Sequence, residues 1–96
     1  MFEPLDPLLH SQLRLSIVSI LISAEEANFV YLKEKTKATA GNLSVQLDKL
    51  EKAGYIEINK TFVGKKPQTK CKITQKGIEA FEKYVKTLKQ YIDVKK

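Results

Sequence analysis

"TAGNLSVQLDKLEKAGYIEI", residues 39–58, changes hydrophobic period halfway along, and the way the chain is read turns on that change. Up to Lys52 the apolar positions fall at helical spacing; from Tyr55 onward they alternate, as in a strand. Thr39 is the expected N-cap, Ala40, Leu43, Leu47 and Leu50 the buried face, and Gly54 the C-terminal stop. Yet the helix opens on Gly41 and Asn42, and glycine in a helix interior costs about 1 kcal/mol relative to alanine. A helix that only filled space would use alanine or lysine there. Its start is therefore expected to bring the backbone close to something outside it.

Working outward, Ile56, Ile58, Lys60 and Phe62 give one strand a largely apolar face, and Thr69, Cys71 and Ile73 give a second strand an inward row with Lys70 and Lys72 outward. "VGKKPQ", residues 63–68, joins them as a β-hairpin with a basic tip. Thr74 caps a last helix from Gln75 to about Asp93. On the other side, His10 to Ala24 forms a helix with Leu9, Leu13, Ile17, Ile20 and Leu21 on one stripe and Leu15, Val18 and Ile22 beside it. "EEAN" breaks that pattern, and Asn28 caps a short helix, Phe29 to about Lys35, with Phe29 and Leu32 inward. The first eight or so residues and the final "VKK" are expected to be loose. The fold class is α+β, mainly α: three helices, a β-hairpin and a long C-terminal helix in one domain spanning residues 1–96.

Composition limits the function. Ninety-six residues build one small core, with no room for a separate catalytic or sensory domain. The net charge of +6 favours anionic partners without choosing among nucleic acid, membrane and acidic protein. A single cysteine suits a reducing cytoplasm. "MFEPLDPLL" carries acids and prolines where a secretory signal needs a basic start and an apolar run. The longest mostly apolar stretch, Leu13 to Ala24, is interrupted by Arg14, Ser16, Ser19 and Ser23 and falls short of the roughly 20 residues of a membrane span. No phosphate loop, paired carboxylates or metal-spaced cluster is present and His10 stands alone, so an enzyme is not expected, nor a metal or other cofactor. Cys71 is expected to point into the core, where a thiol is inert. Tyr31, Tyr55, Tyr84 and Tyr91 are expected at the core edge or in contacts between copies.

Two short helices joined by a four-residue turn and followed at once by a hairpin are what a helix-turn-helix with a wing needs. "GNLSVQLDKLEKAGYIEI" followed by "GKKPQTKCKITQKGIEAF" resembles the winged helix DNA-binding transcriptional regulators related to the MarR and ArsR families. The resemblance covers residues 10 to about 90, with "LSVQLDKLEKAGYI" and "PQTKCKITQKG" its most specific elements. It implies a helix-turn-helix over about 28–54, a wing over about 55–74 and a C-terminal dimerisation helix over about 75–93.

On a helical wheel, Gly41, Val45, Asp48 and Lys52 lie opposite the leucines, with Asn42 and Lys49 on one shoulder, Ser44 on the other and Gln46 flanking the core side. Gly41 then removes a side chain where the helix start would press into a major groove, and Val45 can meet a thymine methyl. Taken singly, Gly41 could serve tight packing, Asn42 a local cap and Ser44 plain surface. Asp48 near phosphate is unfavourable unless it pairs with Lys52 at i+4. Residues 33–76 hold eleven lysines against four acids, whereas the remainder is nearly balanced. The expected DNA-facing set is Thr39, Gly41, Asn42, Ser44, Val45, Gln46 and Lys49 on the helix, Lys65, Lys66 and Lys70 on the wing, and Arg14 on the first helix, with Lys72 beside the wing lysines. Arg14 faces either a phosphate, as the resemblance implies, or a helical acid such as Glu82. No arginine sits in the reading helix, so readout should lean on Asn42, Gln46 and DNA shape.

Ile78, Phe81, Val85, Leu88 and Ile92 repeat at the spacing of a helical seam. With Leu15, Val18 and Ile22 of the first helix they form the expected homodimer interface; the alternative is packing within one chain. The expected function is a sequence-specific, duplex-DNA-binding transcriptional regulator acting as a cytoplasmic homodimer. The alternative is a winged helix used as a protein-interaction module in a multi-subunit assembly.

Overall fold

A computed structural model describes residues 2–93 of the chain. Its elements run α1 (Gln12–Ala24), β1 (Glu26–Asn28), α2 (Phe29–Thr36), α3 (Ala40–Lys52), β2 (Ile56–Val63), β3 (Lys66–Ile73) and α4 (Gln75–Ile92). Each helix starts where a side-chain oxygen satisfies an amide that the helix itself cannot. Ser11, Asn28, Thr39 and Thr74 cap α1 to α4 by accepting from the amides of Arg14, Tyr31, Asn42 and Gly77. The end of α3 is a Schellman turn: Gly54, at φ +82°, donates to the Glu51 carbonyl, and Tyr55 donates to that of Leu50.

The three helices before the hairpin pack their apolar faces on one core. Leu9, Ile17, Leu21, Leu32, Leu43, Leu50, Ile56 and Cys71 are fully or almost fully buried. Val18 joins them with no exposed surface, so it is core and has nothing left to offer a second copy. Ala40, expected on the buried face of α3, is exposed, because the first helical residue lies beyond the edge of the core.

The sheet has three strands, not two, in the order β1-β3-β2, all antiparallel. "EEAN" is not merely a break: Glu26, Ala27 and Asn28 pair with Lys72, Cys71 and Lys70. The hairpin connection is also tighter than expected. Val63 pairs with Lys66, leaving Gly64 and Lys65 as a two-residue loop. Gly64 takes φ +65°, and Lys65 does not share its positive φ, the signature of a primed turn with glycine first.

The N-terminal segment, expected to be loose, is docked. Leu9 is fully buried, and Leu5 and Leu8 pack beside it. The Tyr55 hydroxyl donates to Asp6 (2.5 Å), and burial together with that carboxylate pushes the phenol up to about 12. Farther out, the Glu3 amide donates to Gln90, Gln90 donates back to the Glu3 carboxylate, and Phe2 stacks on Tyr91 with ring centroids 4.8 Å apart. The expectation for the final "VKK", residues 94–96, lies outside the described residues.

Candidate nucleic-acid interface

Two surfaces carry the residues singled out in the sequence. The first is the outward face of α3. Burying Leu43, Leu47 and Leu50 turns Gly41, Asn42, Ser44, Val45, Asp48, Lys49 and Lys52 to the exterior. Val45 is 51% exposed, so its side chain is available at the surface. Thr39 is exposed as well, its hydroxyl accepting from the Asn42 amide at 3.2 Å. No acid occupies the first turn of α3, so the positive end of the helix dipole is uncompensated there. Asp48 is held by Lys52 at 3.0 Å, the i,i+4 pairing that removes its objection to a nearby phosphate.

Gln46 is not a free reader. Its Nε2 donates to Asn42 Oδ1 (3.0 Å) and its Oε1 accepts from Arg14 Nη1. Arg14 in turn donates through Nε to the Leu8 carbonyl at 2.6 Å. A chain of hydrogen bonds thus runs from the N-terminal segment through α1 to the start of α3. Arg14 forms no pair with Glu82; the acid expected as its alternative partner is replaced by a glutamine 32 positions along the chain. The guanidinium that α3 lacks in sequence is placed at its flank in space, with two bonds fixing its plane.

The second surface is the hairpin. Lys60, Lys65, Lys66 and Lys70 are exposed, and among the described residues the only ion pair is Lys52–Asp48. Register separates two lysines that the sequence groups together. Lys72 lies between Glu26 on β1 and Glu57 on β2, so its charge is locally balanced. Lys70 lies between Asn28 and Asn59 and is not. Positive charge therefore concentrates toward the distal half of the wing.

Little else on the molecule suggests chemistry. Burial and the Glu51 charge push the Cys71 thiol up to about 11, so it stays protonated and unreactive at neutral pH. The described residues contain no metal-ligand cluster, and no helix among them is long and apolar enough to cross a membrane. Tyr84 is buried, its hydroxyl 2.9 Å from His10 Nδ1, and so is a core residue.

On α4 the expected seam is only half covered. Gly77, Tyr84 and polar Thr87 are the buried residues, whereas Ile78, Phe81, Val85 and Leu88 are half-buried and Ile92 is 73% exposed. Leu15 and Ile22 of α1 are half-buried too. Phe81 and Val85 line an open groove with Glu82, Lys86 and Lys89.

Comparison with known proteins agrees with this architecture. Over 76 residues the chain is 41% identical to an uncharacterised protein of Methanocaldococcus jannaschii, spanning 79% of this chain and 83% of that one. Its fold matches the structure of a transcriptional regulator homologue protein from Pyrococcus horikoshii OT3 with a TM-score of 0.83, at 29% identity, over 90% of this chain and 85% of that one. A mutant MarR from E.coli complexed with operator DNA superposes with a TM-score of 0.72 over 92% of this chain and 68% of that one; at 22% identity, that likeness speaks for the fold alone. The family model for the winged helix DNA-binding domain matches residues 13–92, nearly the whole of the described chain, and the protein belongs to that family.

Proposed function

We propose that this protein is a transcriptional regulator that binds duplex DNA sequence-specifically as a homodimer. The observation that carries the reading is the exposed start of α3, where Gly41, Asn42, Ser44 and Val45 face outward beside the fixed Arg14–Gln46–Asn42 chain. A helix of this kind enters a major groove by its N-terminal residues, and the distal wing lysines lie alongside to neutralise phosphates. Asn42 suits a base edge through its amide nitrogen, with Gln46 holding Asn42 and Arg14 in place, while Val45 suits a thymine methyl and Arg14 a guanine edge or a phosphate. Because these groups are held before DNA arrives, less side-chain entropy is lost on binding.

The half-covered seam of α4 supports the dimer. A chain that buries Thr87 while leaving Phe81 and Val85 half-covered and Ile92 open has an apolar face suited to a second copy. A two-fold axis would present two α3 helices to one side of the duplex, with half-sites about 10 bp apart.

The test is binding to random duplex DNA across a salt series. Log affinity is expected to fall with log salt at about −0.9 per neutralised phosphate. Sedimentation is expected to give a mass near twice the 10.9 kDa chain. Ile92→Glu, at a position exposed in the single chain, should shift that mass toward the monomer without unfolding it. Absence of duplex binding at low salt would point instead to an interaction module.

A further inference from the structure

The hairpin keeps its pleat after it leaves the core. Ile56, Ile58, Lys60 and Phe62 form one row on β2, and their partners on β3 are Ile73, Cys71, Thr69 and Pro67. The inner members of that row are buried, whereas the outermost pair, Phe62 and Pro67, stands in the open, with Phe62 70% exposed. This is also the side of the hairpin that faces α3. Ser44, Leu47, Asp48 and Glu51 of α3 line one groove with Phe29 of α2 and with Ile58, Lys60 and Thr69 of the strands. Phe62 and Pro67 therefore continue, toward the tip, the surface that lies across from the reading helix.

Beyond its cross-strand partner Pro67, the ring of Phe62 is open to solvent on a lysine-rich hairpin and is free to meet a ligand. Two side chains are far too few for a stable protein contact, which buries about 800 Å² per partner. Charge narrows the choice further. Asp48 and Glu51 sit at the inner end of the groove, but from Ile58 to Ile78 the chain has six lysines and no acid, so the outer end, where Phe62 stands, favours an anionic partner. Duplex DNA supplies both requirements at once: phosphates for Lys60, Lys65 and Lys66, and an apolar base-pair face between steps for a flat ring.

We infer that Phe62, backed by Pro67, is an apolar wedge that enters the minor groove beside the α3 site, partly unstacks one base step and kinks the duplex. The inference rests on the DNA-binding reading above and adds to it a way of sensing sequence without base-edge contacts. Flexible pyrimidine–purine steps yield to such a wedge at lower cost than stiff A-tracts, so preference would arise at a position that no hydrogen bond reads. The wing lysines neutralise phosphates on the face being bent, and the wider contact that bending permits offsets the unstacking.

Circularisation tests this without knowledge of an operator. A random-sequence duplex of about 150 bp, one persistence length, closes slowly under ligase, and kinking speeds closure. Wild-type protein at saturation is expected to accelerate closure. Phe62→Ala is expected to keep its melting temperature and salt slope, bind about tenfold more weakly and lose the acceleration. Phe62→Leu, which retains a wedging side chain, should keep part of it. Lys65→Ala with Lys66→Ala should weaken binding yet still accelerate closure once saturated. If wild type does not bind duplex DNA at all, the DNA-binding reading falls and the wedge with it. If wild type binds but Phe62→Ala accelerates closure equally well, the wedge alone is overturned. A change in sedimenting mass on Phe62→Ala would also overturn it, by assigning the ring to a contact between copies.

Discussion

The first turns of α3 and α4 are built alike and packed differently. Each follows a threonine N-cap, and each places a glycine in the first turn: Gly41 in α3 and Gly77 in α4. At Gly77 the fold itself demands glycine. The Tyr55 carbonyl accepts from the Thr74 amide there, and an added β-carbon would run into that carbonyl and the Ile73 side chain. At Gly41 nothing lies within 4 Å of an added β-carbon, and its φ is not in the left-handed region. Among the described residues, none requires glycine at position 41. A residue that is unfavourable for the helix and unexplained by packing is consistent with the proposed DNA-facing role of the start of α3.

The largest expected effect is on the structural side of that contrast. Gly77→Ala should lower stability by about 3 kcal/mol, read as a shift of the urea midpoint at unchanged slope, because the obstacle is backbone and cannot swing away. A negligible shift would show that the start of α4 is as open as that of α3. Next, with a preferred sequence selected from a random pool, Gln46→Ala should reduce the preference for it over random DNA by roughly 1 to 3 kcal/mol while leaving stability nearly unchanged. Should discrimination survive, the Arg14–Gln46–Asn42 chain positions the protein without reading.

Lys65→Ala with Lys66→Ala is expected to weaken binding to preferred and random DNA alike and to reduce the salt slope by about 1.8, as two released phosphate contacts require. A change in sequence preference from this pair would move readout from α3 to the wing. The smallest effect is at Gly41. Gly41→Ala should raise stability by up to about 1 kcal/mol, since the new methyl meets only solvent and favours the helix, while DNA binding weakens. Unchanged affinity would remove the start of α3 from the interface.

Local chemistry made much of this fold legible. Asn28, Thr39 and Thr74 could be named as caps from sequence because a cap involves only residues three apart. Leu43, Leu47 and Leu50 announced the buried face of α3 by spacing alone. What stayed hidden depends on distance along the chain. β1 has only three residues, too few to alternate, and its partner strand lies more than forty positions away. Pairing of Arg14 with Gln46 spans 32 positions, and no periodicity links them. Acids and prolines made residues 2–8 look loose, whereas Leu5, Leu8 and Leu9 were the better guide. Lys72 looked equivalent to Lys70 until register placed acids on both sides of it.

β3 occupies the middle of the sheet, which leaves β2 hydrogen-bonded on one side only. The five exposed residues that end this strand edge, Asn59 to Val63, are a template for aggregation with another molecule of the same kind. Mutual repulsion between the lysine-rich tips is expected to keep two such edges apart in dilute buffer, where charges are felt over about 10 Å; at 1 M salt that reach shrinks to about 3 Å. Concentrated salt, the ordinary means of stripping nucleic acid from a basic protein during purification, is thus the condition in which this one is expected to precipitate, and dialysis back to low salt the condition that restores its solubility.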